Sequence, residues 1–168
     1  NKNHFTLLNE NIPELERYRT IIAACPTHRD DEVVVCTQNG LFILNVNTNK
    51  IRTIDAVKKY NRYTRKINCA IRDHKGRIWI GTQNGLLLMQ KDEVRRIAED
   101  DGLSNTCIRS LVEDSHGSIW VGTSNGINRI YAEGTELYIL PLGPSDGAPR
   151  VEMNERGACL MPDGKIYF

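Results

Sequence analysis

A repeated segment is the feature of this sequence that most restricts its fold. Residues 73–86 read DHKGRIWIGTQNGL, and residues 114–127 read DSHGSIWVGTSNGI, 41 residues further along the chain. The two copies share Asp, Gly, Ile-Trp, Gly-Thr, Asn and Gly at equivalent positions. A period of this size is typical of proteins assembled from stacked supersecondary units, so the chain is predicted to be an array of such units.

Two less complete copies flank this pair. Residues 33–41 (VVVCTQNGL) fit the template 45 residues before 78–86, with Cys36 at the position of the motif glycine. Residues 162–168 (PDGKIYF) begin a fourth copy, with Tyr167 at the position of the tryptophan. We expect one segment, 1–168, whose units have approximate boundaries 5–54, 55–97, 98–140 and 141–168, the last of them truncated.

Each period contains four short runs with β propensity, separated by turn residues. Asn84-Gly85 accepts the positive φ angles of a tight hairpin, which places one such turn. Ile-Trp-Ile at 78–80 is apolar on both faces, so both faces of that strand must be covered by neighbours. Four strands in about 41 residues is the size of a propeller blade. The predicted fold is all-β, a partial β-propeller of about four antiparallel blades, with a short helical candidate only at 13–18.

The repeats resemble those of the two-component regulator propeller family, whose pattern is close to D-x-x-G-x-[IL]-W-[IV]-G-T-x-x-G-[IL]. Residues 73–86 and 114–127 match it throughout, and 101–105 (DGLSN) is similar to the family's linker between blades. The resemblance implies a seven-bladed propeller in the periplasmic sensor region of a Bacteroides-type hybrid two-component system. Such regions recognise oligosaccharides and signal through the membrane to a cytoplasmic histidine kinase.

The aromatic and acidic residues of the motif are expected to be structural. Trp79 and Trp120 recur at one position of a buried strand, so we expect both in the core, with the indole N–H bound to backbone. Asp73 and Asp114 each precede a glycine by three residues, which is a turn signature and not a catalytic pair.

Metal, cofactor and catalytic sites receive no support from the sequence. The five cysteines, Cys25, Cys36, Cys69, Cys107 and Cys159, lie far apart without a C-x-x-C pair, and we expect those in apolar segments to act as small hydrophobes. The four histidines are scattered, and no G-x-S-x-G, P-loop or H-E-x-x-H motif occurs. We predict that the chain is not an enzyme and that it has no cofactor and no metal site.

The charge and hydropathy of the chain restrict the kinds of partner that it can bind. The formal net charge of +1 gives no global field to attract nucleic acid, and no apolar run is long enough to span a bilayer. The segment 55–66 (DAVKKYNRYTRK) concentrates five cations and two tyrosines, which favours stacking on a sugar and pairing with its acidic groups. A plain solvated loop remains the alternative for this segment.

Connections between blades open onto the same face as the Asn-Gly hairpins, so a binding site is expected there. The second long connection, 141–154 (PLGPSDGAPRVEMN), leads into the fourth unit, and 105–109 forms the matching entry of the third. The predicted ligand-binding residues are Tyr60, Arg62, Tyr63, Arg65, Asn105, Arg109, Arg150 and Asn154.

Two functions from different classes fit these features. The first is a periplasmic ligand-sensing segment that binds an oligosaccharide, neutral or acidic, and passes the signal to a histidine kinase. The second is a protein-interaction or dimerisation scaffold without its own ligand site. In either case the remaining blades of the parent protein and a second copy are the expected protein partners. A lyase or hydrolase propeller is a third, weaker alternative.

Overall fold

The computed structural model describes residues 12, 13, 15, 18, 20–38, 40–60, 66–91, 93–133 and 136–168. Within these residues, twelve strands form three four-stranded sheets and two further strands form a hairpin. The strands are β1 (Ile21–Pro26), β2 (Glu32–Thr37), β3 (Gly40–Asn45), β4 (Lys50–Arg52), β5 (Ile67–Arg72), β6 (Ile78–Thr82), β7 (Gly85–Gln90), β8 (Glu93–Ile97), β9 (Ile108–Glu113), β10 (Ile119–Thr123), β11 (Gly126–Glu133), β12 (Glu136–Leu142), β13 (Cys159–Leu160) and β14 (Ile166–Tyr167).

Each four-stranded sheet is an antiparallel meander in which strands adjacent in sequence pair with one another. The first strands of the three sheets, β1, β5 and β9, lie side by side, so the sheets radiate from a common axis like propeller blades. This confirms the predicted all-β blade architecture. The second sheet covers the predicted residues 67–97, and the third extends slightly beyond the predicted 108–140, to Leu142. The unit boundaries themselves stay a prediction.

Helical segments are short and lie in the connections. In the connections between the described strands they include α1 (Asp55–Lys58) and the 3₁₀ turns Glu99–Asp101 and Pro144–Asp146. In the predicted helical segment 13–18, part of which lies outside the described residues, Leu15 N–H donates to Ile12 O (3.0 Å) and Tyr18 N–H to Leu15 O (2.8 Å). None of the helices in the described ranges has the length and apolar character needed to cross a membrane.

Alternating side chains of strand β6 pack into two different cores. Ile78 and Ile80 of β6 pack against the first sheet, together with residues of β2 and β3. Trp79, between them, points the other way and packs against Ile108 and Ile119 of the third sheet. This explains the apolar Ile-Trp-Ile run, because successive strand residues face opposite sides and both sides are covered.

The motif glycine allows neighbouring sheets to approach closely. A Cβ atom at Gly81 would lie 2.5 Å from Cys69 Sγ and 2.7 Å from Ile108 Cγ2, closer than real Cβ contacts allow. In the first sheet the same position holds Cys36, whose side chain is buried in the core between the first and second sheets. The degraded first copy therefore keeps the sheet and changes the local packing between blades.

The motif threonine closes each hairpin. Thr82 Oγ1 donates to Gly85 O (2.7 Å) and accepts from Asn84 N–H (3.0 Å). Thr123 Oγ1 likewise donates to Gly126 O (2.9 Å) in the third sheet. Gly85 has φ +120° and Gly126 has φ +89°, a region that favours glycine. The Gly-Thr-x-x-Gly motif thus encodes one hairpin geometry twice.

The expected burial of the tryptophans is confirmed for Trp79, which is fully buried, and only in part for Trp120, which is half-buried. Trp120 packs with Met153 and Phe168 on the side of the two-stranded fourth sheet, which covers less of it. The expected backbone partner for the indole is wrong in both sheets. Trp79 Nε1–H donates to the carboxylate of Asp73, so the motif aspartate does more than close a turn.

Candidate functional site

The chain presents its connections between sheets at one end of the strands. Because each sheet is a meander, the described segments 53–60, 98–107 and 143–158 lie at the same end as the β2–β3, β6–β7 and β10–β11 hairpins. We call this end the connection face. The β1–β2, β5–β6 and β9–β10 turns lie at the opposite end.

Each inner strand carries one extra residue close to the connection face. In β1, β5 and β9 the pairing register skips Ile22, Asn68 and Arg109 respectively. Such a bulge redirects the side chain of the extra residue. Asn68 uses this to reach the next sheet, where its Nδ2 donates to Ile108 O at 2.7 Å.

Arg109 links the third sheet to the connection that follows it. Its Nε donates to Ser124 Oγ (3.0 Å), Nη1 donates to Glu155 Oε1 (2.8 Å), and Nη2 pairs with Glu152. Burial by itself lowers the pKa of Arg109, but the charges of Cys107, Glu152 and Glu155 raise it above its ordinary value. The guanidinium therefore stays charged and holds residues 152–155 against the sheet.

The described residues of the connection face surround two cavities that bear on function. The first, of about 420 Å³, lies against the 141–150 connection and is lined by Ser104, Asn125, Asp146 and Arg150, with Pro141 and Pro144 among its apolar walls. We call it the peripheral cavity. It offers a hydroxyl, an amide, a carboxylate and a guanidinium beside proline rings, which together can hydrogen-bond and pack against a polyhydroxylated ligand.

The second cavity, of about 200 Å³, lies where the inner strands meet, and we call it the axial cavity. Gln38 and Gln83, the first hairpin residues of the first and second sheets, line it together with Lys66, Asn68 and Arg156. Backbone bonds hold both glutamines in place, because Gln38 N–H donates to Thr20 O (3.0 Å) and Gln83 N–H to Lys66 O (3.1 Å). The axial cavity therefore brings residues of the first and second sheets together with Arg156 of the connection that follows the third sheet.

The structure describes five of the eight predicted ligand-binding residues, and their ligand role stays a prediction. Arg150 lines the peripheral cavity, while Tyr60 is half-buried against the core between the first and second sheets. Asn105 Oδ1 accepts from Cys107 N–H (2.8 Å), and Asn154 is exposed with its carbonyl bound by Gly157 N–H (3.2 Å).

The fifth described residue, Arg109, forms the ion pairs given above. Arg62, Tyr63 and Arg65 lie outside the described residues. The axial cavity was not predicted from the sequence. A signal for it exists in the repeat, since Gln38 and Gln83 occupy the same motif position directly after the threonine.

The repeated segments of this chain match a known protein family. The two component regulator propeller family matches residues 64–84 and 102–125, which cover the inner strands and Gly-Thr motifs of the second and third sheets. Comparison with curated proteins found no match.

Solved structures with similar folds include extracellular domains from B. thetaiotaomicron. The domain of BT3049, described as a hybrid two component system, is 18% identical with a TM-score of 0.58, over 88% of this chain and 26% of that one. A domain of BT4673, also described as a hybrid two component system, is 17% identical with a TM-score of 0.62, over 88% of this chain and 19% of that one. These similarities establish the propeller fold, and the chain spans about a fifth to a quarter of those domains.

Proposed function

We propose that the chain is part of the ligand-sensing region of a hybrid two-component sensor. The proposal starts from its two component regulator propeller repeats and from its fold into propeller blades. In this proposal the region lies outside the cytoplasm, in the bacterial periplasm, and passes its signal to a histidine kinase of the same protein. The repeat match and the fold shared with extracellular domains of B. thetaiotaomicron proteins support it.

The ligand we propose is an oligosaccharide bound on the connection face, and the peripheral cavity is the observation that carries this proposal. Its volume of about 420 Å³ lies in the range of small-molecule sites, roughly 300 to 1,000 Å³. Sugar hydroxyls both donate and accept, and the cavity supplies acceptors at Asp146 and donors at Arg150, with Asn125 and Ser104 able to do either.

We propose a binding role without catalysis. The described histidines, His28, His74 and His116, lie in turns at the end of the sheets opposite to both cavities. Among the described residues, neither cavity therefore contains the side chain most often used for general acid and base chemistry near neutral pH, which is histidine. The carboxylate of Asp146 already accepts from the Gly143 N–H (3.0 Å), which suits a positioning role.

Calorimetry with a panel of neutral di- to hexasaccharides tests the sugar site. A panel member should bind the unmodified chain, and Arg150→Ala or Asn125→Ala should weaken that binding at least tenfold. Arg95→Ala, a change to an exposed arginine on β8, serves as the control and should leave the affinity unchanged. Unchanged affinity in both cavity variants would refute the site.

An interaction scaffold remains the second candidate, because the outer strand of the third sheet exposes apolar side chains. Leu137 and Ile139 of β12 pack inward, while Tyr138 and Leu140 alternate with them and are 40% and 47% exposed. If this strand is an interface between two copies, sedimentation should show a dimer that Leu140→Glu dissociates. A monomer at all concentrations would remove this support.

A further inference from the structure

The axial cavity holds two cations that are not neutralised within the described part of the chain. Lys66 and Arg156 both line it and both are exposed. The carboxylate that lines the cavity, Glu155, accepts from Arg109 Nη1 at 2.8 Å and is therefore already engaged. The cavity thus has an excess of positive charge beside the inner strands β1 and β5.

The backbone of the second cationic residue is held in place. Arg156 has φ +57°, in the left-handed region that glycine and asparagine adopt more readily than arginine. Its N–H donates to Arg109 O at 2.9 Å, so the strained residue is tied to the inner strand of the third sheet. Strained backbone of this kind is enriched at functional sites, which supports a role for the side chain held there.

Neutral donors complete the cavity. The side-chain amides of Gln38 and Gln83 lie beside the two cations and can donate to oxygen atoms without adding charge. The volume of about 200 Å³ is smaller than a typical site for a whole small molecule, so it suits one substituent of a larger ligand.

The geometry points to an anion-binding site in the axial cavity that takes the carboxylate or sulfate substituent of an acidic sugar through Lys66 and Arg156. The sugar part of this ligand rests on the proposed function, while the anion site rests on the cavity alone. Oxyanions receive charge-assisted hydrogen bonds from lysine and arginine, which are shorter and stronger than neutral ones.

Calorimetry on the whole 168-residue chain tests the site with matched probes. The anionic probes are glucuronate and galactose 6-sulfate, the neutral ones are glucose and galactose, and inorganic sulfate represents a free anion. We expect the anionic sugars to bind at least tenfold more tightly than their neutral counterparts. Inorganic sulfate should compete with them, and raising the salt concentration should weaken them because exposed charges are screened over about 8 Å.

Variants separate this site from the peripheral cavity. The double change of Lys66→Gln and Arg156→Gln should reduce binding of the anionic sugars at least tenfold. The single change Arg156→Lys, which keeps both positive charges, should retain most of that binding. Arg150→Ala should leave inorganic sulfate binding unchanged. Melting temperatures of all variants confirm that they fold.

Equal affinity for anionic and neutral sugars, or anion binding that survives the double glutamine change, would overturn the anion site. Unchanged neutral oligosaccharide binding in both Arg150→Ala and Asn125→Ala would refute only the proposed function. The two proposals can therefore fail independently.

Discussion

Trp79 Nε1–H donates to Asp73 Oδ2 at 2.8 Å, six residues earlier in the chain. The third sheet repeats this bond between Trp120 and Asp114 at the same 2.8 Å. The bond links the turn at one end of the sheet to the aromatic side chain in the core between sheets, and it explains why the motif contains both residues.

The two partners are present or absent together. In the fourth unit the turn is closed by the same backbone bonds, Met161 N–H to Lys165 O (2.8 Å) and Gly164 N–H to Met161 O (2.9 Å), which aligns Met161 with the motif aspartate. Tyr167 stands there in place of tryptophan. A buried carboxylate without its donors would be costly, so losing both partners is less harmful than losing one.

An arginine accompanies each Asp–Trp pair but comes from a different strand. In the second sheet Arg77 Nε donates to Asp73 Oδ2 (2.6 Å), and its guanidinium lies 5.1 Å from the Trp79 ring. In the third sheet the guanidinium above the tryptophan belongs to Arg129 of the adjacent strand, 5.6 Å from the Trp120 ring.

Removing the motif aspartate should destabilise the two sheets unequally. Asp73→Ala leaves the buried guanidinium of Arg77 and the indole N–H unpaired, and breaking such a buried pair costs about 3 to 5 kcal/mol. Asp114→Ala should cost about 1 to 3 kcal/mol, because its nearest cation, Arg129, is 3.9 Å away and 38% exposed. Urea unfolding measures both values, and equal losses would contradict the difference in burial.

The features that were predicted correctly from the sequence are those that depend on a local pattern of residues. The hairpins follow from Thr82 and Gly85 because the hydroxyl and the positive φ act within four residues. The coverage of both strand faces follows from the apolar run around Trp79. These features need no knowledge of which strands become neighbours.

The features that the sequence analysis missed depend on register and long-range contacts. Arg129 replaces Arg77 only because it pairs directly opposite Trp120, a relationship set by strand register. In the candidate site, Glu152 and Glu155 meet Arg109 from 43 and 46 residues away. No local pattern indicates such a contact.

Acid should destabilise the protein through the motif aspartates. Burial by itself raises the pKa of Asp73, but the hydrogen bonds from Trp79 and Arg77 outweigh it and hold that pKa below its ordinary value. The pKa of Asp114 is lowered in the same way, with Trp120 as a donor.

Because these pKa values are depressed by folding, their stabilising contribution is present above the unfolded value of about 3.9 and is lost as the pH falls through the folded value. We expect the free energy of unfolding to be nearly flat from pH 7 to about 5 and to decline below about pH 4. A variant with Asp114→Asn should show a shallower decline, as measured by urea titrations across pH. The same slope in both proteins would argue against a contribution from this carboxylate.

The two tryptophans should differ in access to solvent. The sequence contains two tryptophans, Trp79 and Trp120, so Trp120→Phe and Trp79→Phe each leave one tryptophan, which can be excited selectively at 295 nm. Trp79 is fully buried and should be almost insensitive to acrylamide, whereas the half-buried Trp120 should be quenched several-fold more strongly. Stern–Volmer titration measures the difference, and equal quenching would mean that Trp120 is covered in solution.

Replacing each tryptophan with alanine should also destabilise the protein more at Trp79 than at Trp120. Trp79→Ala opens a cavity in a closed core and should cost about 3 to 5 kcal/mol. Trp120→Ala removes a side chain that is covered on one side by Met153 and Phe168, so it should cost less. Thermal unfolding of both variants checks the ranking, with the exposed change Lys165→Ala as the control for a mutation outside the core.

Thiol reactivity should report on the packing between neighbouring sheets. Cys25, Cys36 and Cys69 are buried, Cys107 is intermediate and Cys159 is exposed, and all five are free thiols. Burial raises the pKa of Cys36 well above its usual range and that of Cys69 to about 12, so neither forms the reactive thiolate at neutral pH.

With a thiol reagent such as dithionitrobenzoate at pH 8, we therefore expect one fast reaction from Cys159 and a slower one from Cys107. Cys36 and Cys69 should react only at the rate at which the sheets open or unfold. Cys159→Ser should abolish the fast phase and leave the slow phases unchanged, and denaturant should expose all five thiols at once. If Cys36 and Cys69 reacted in the native protein as fast as Cys159, the tight contact of Cys69 with Gly81 and Ile108 could not exist in solution, because that contact leaves no path for the reagent.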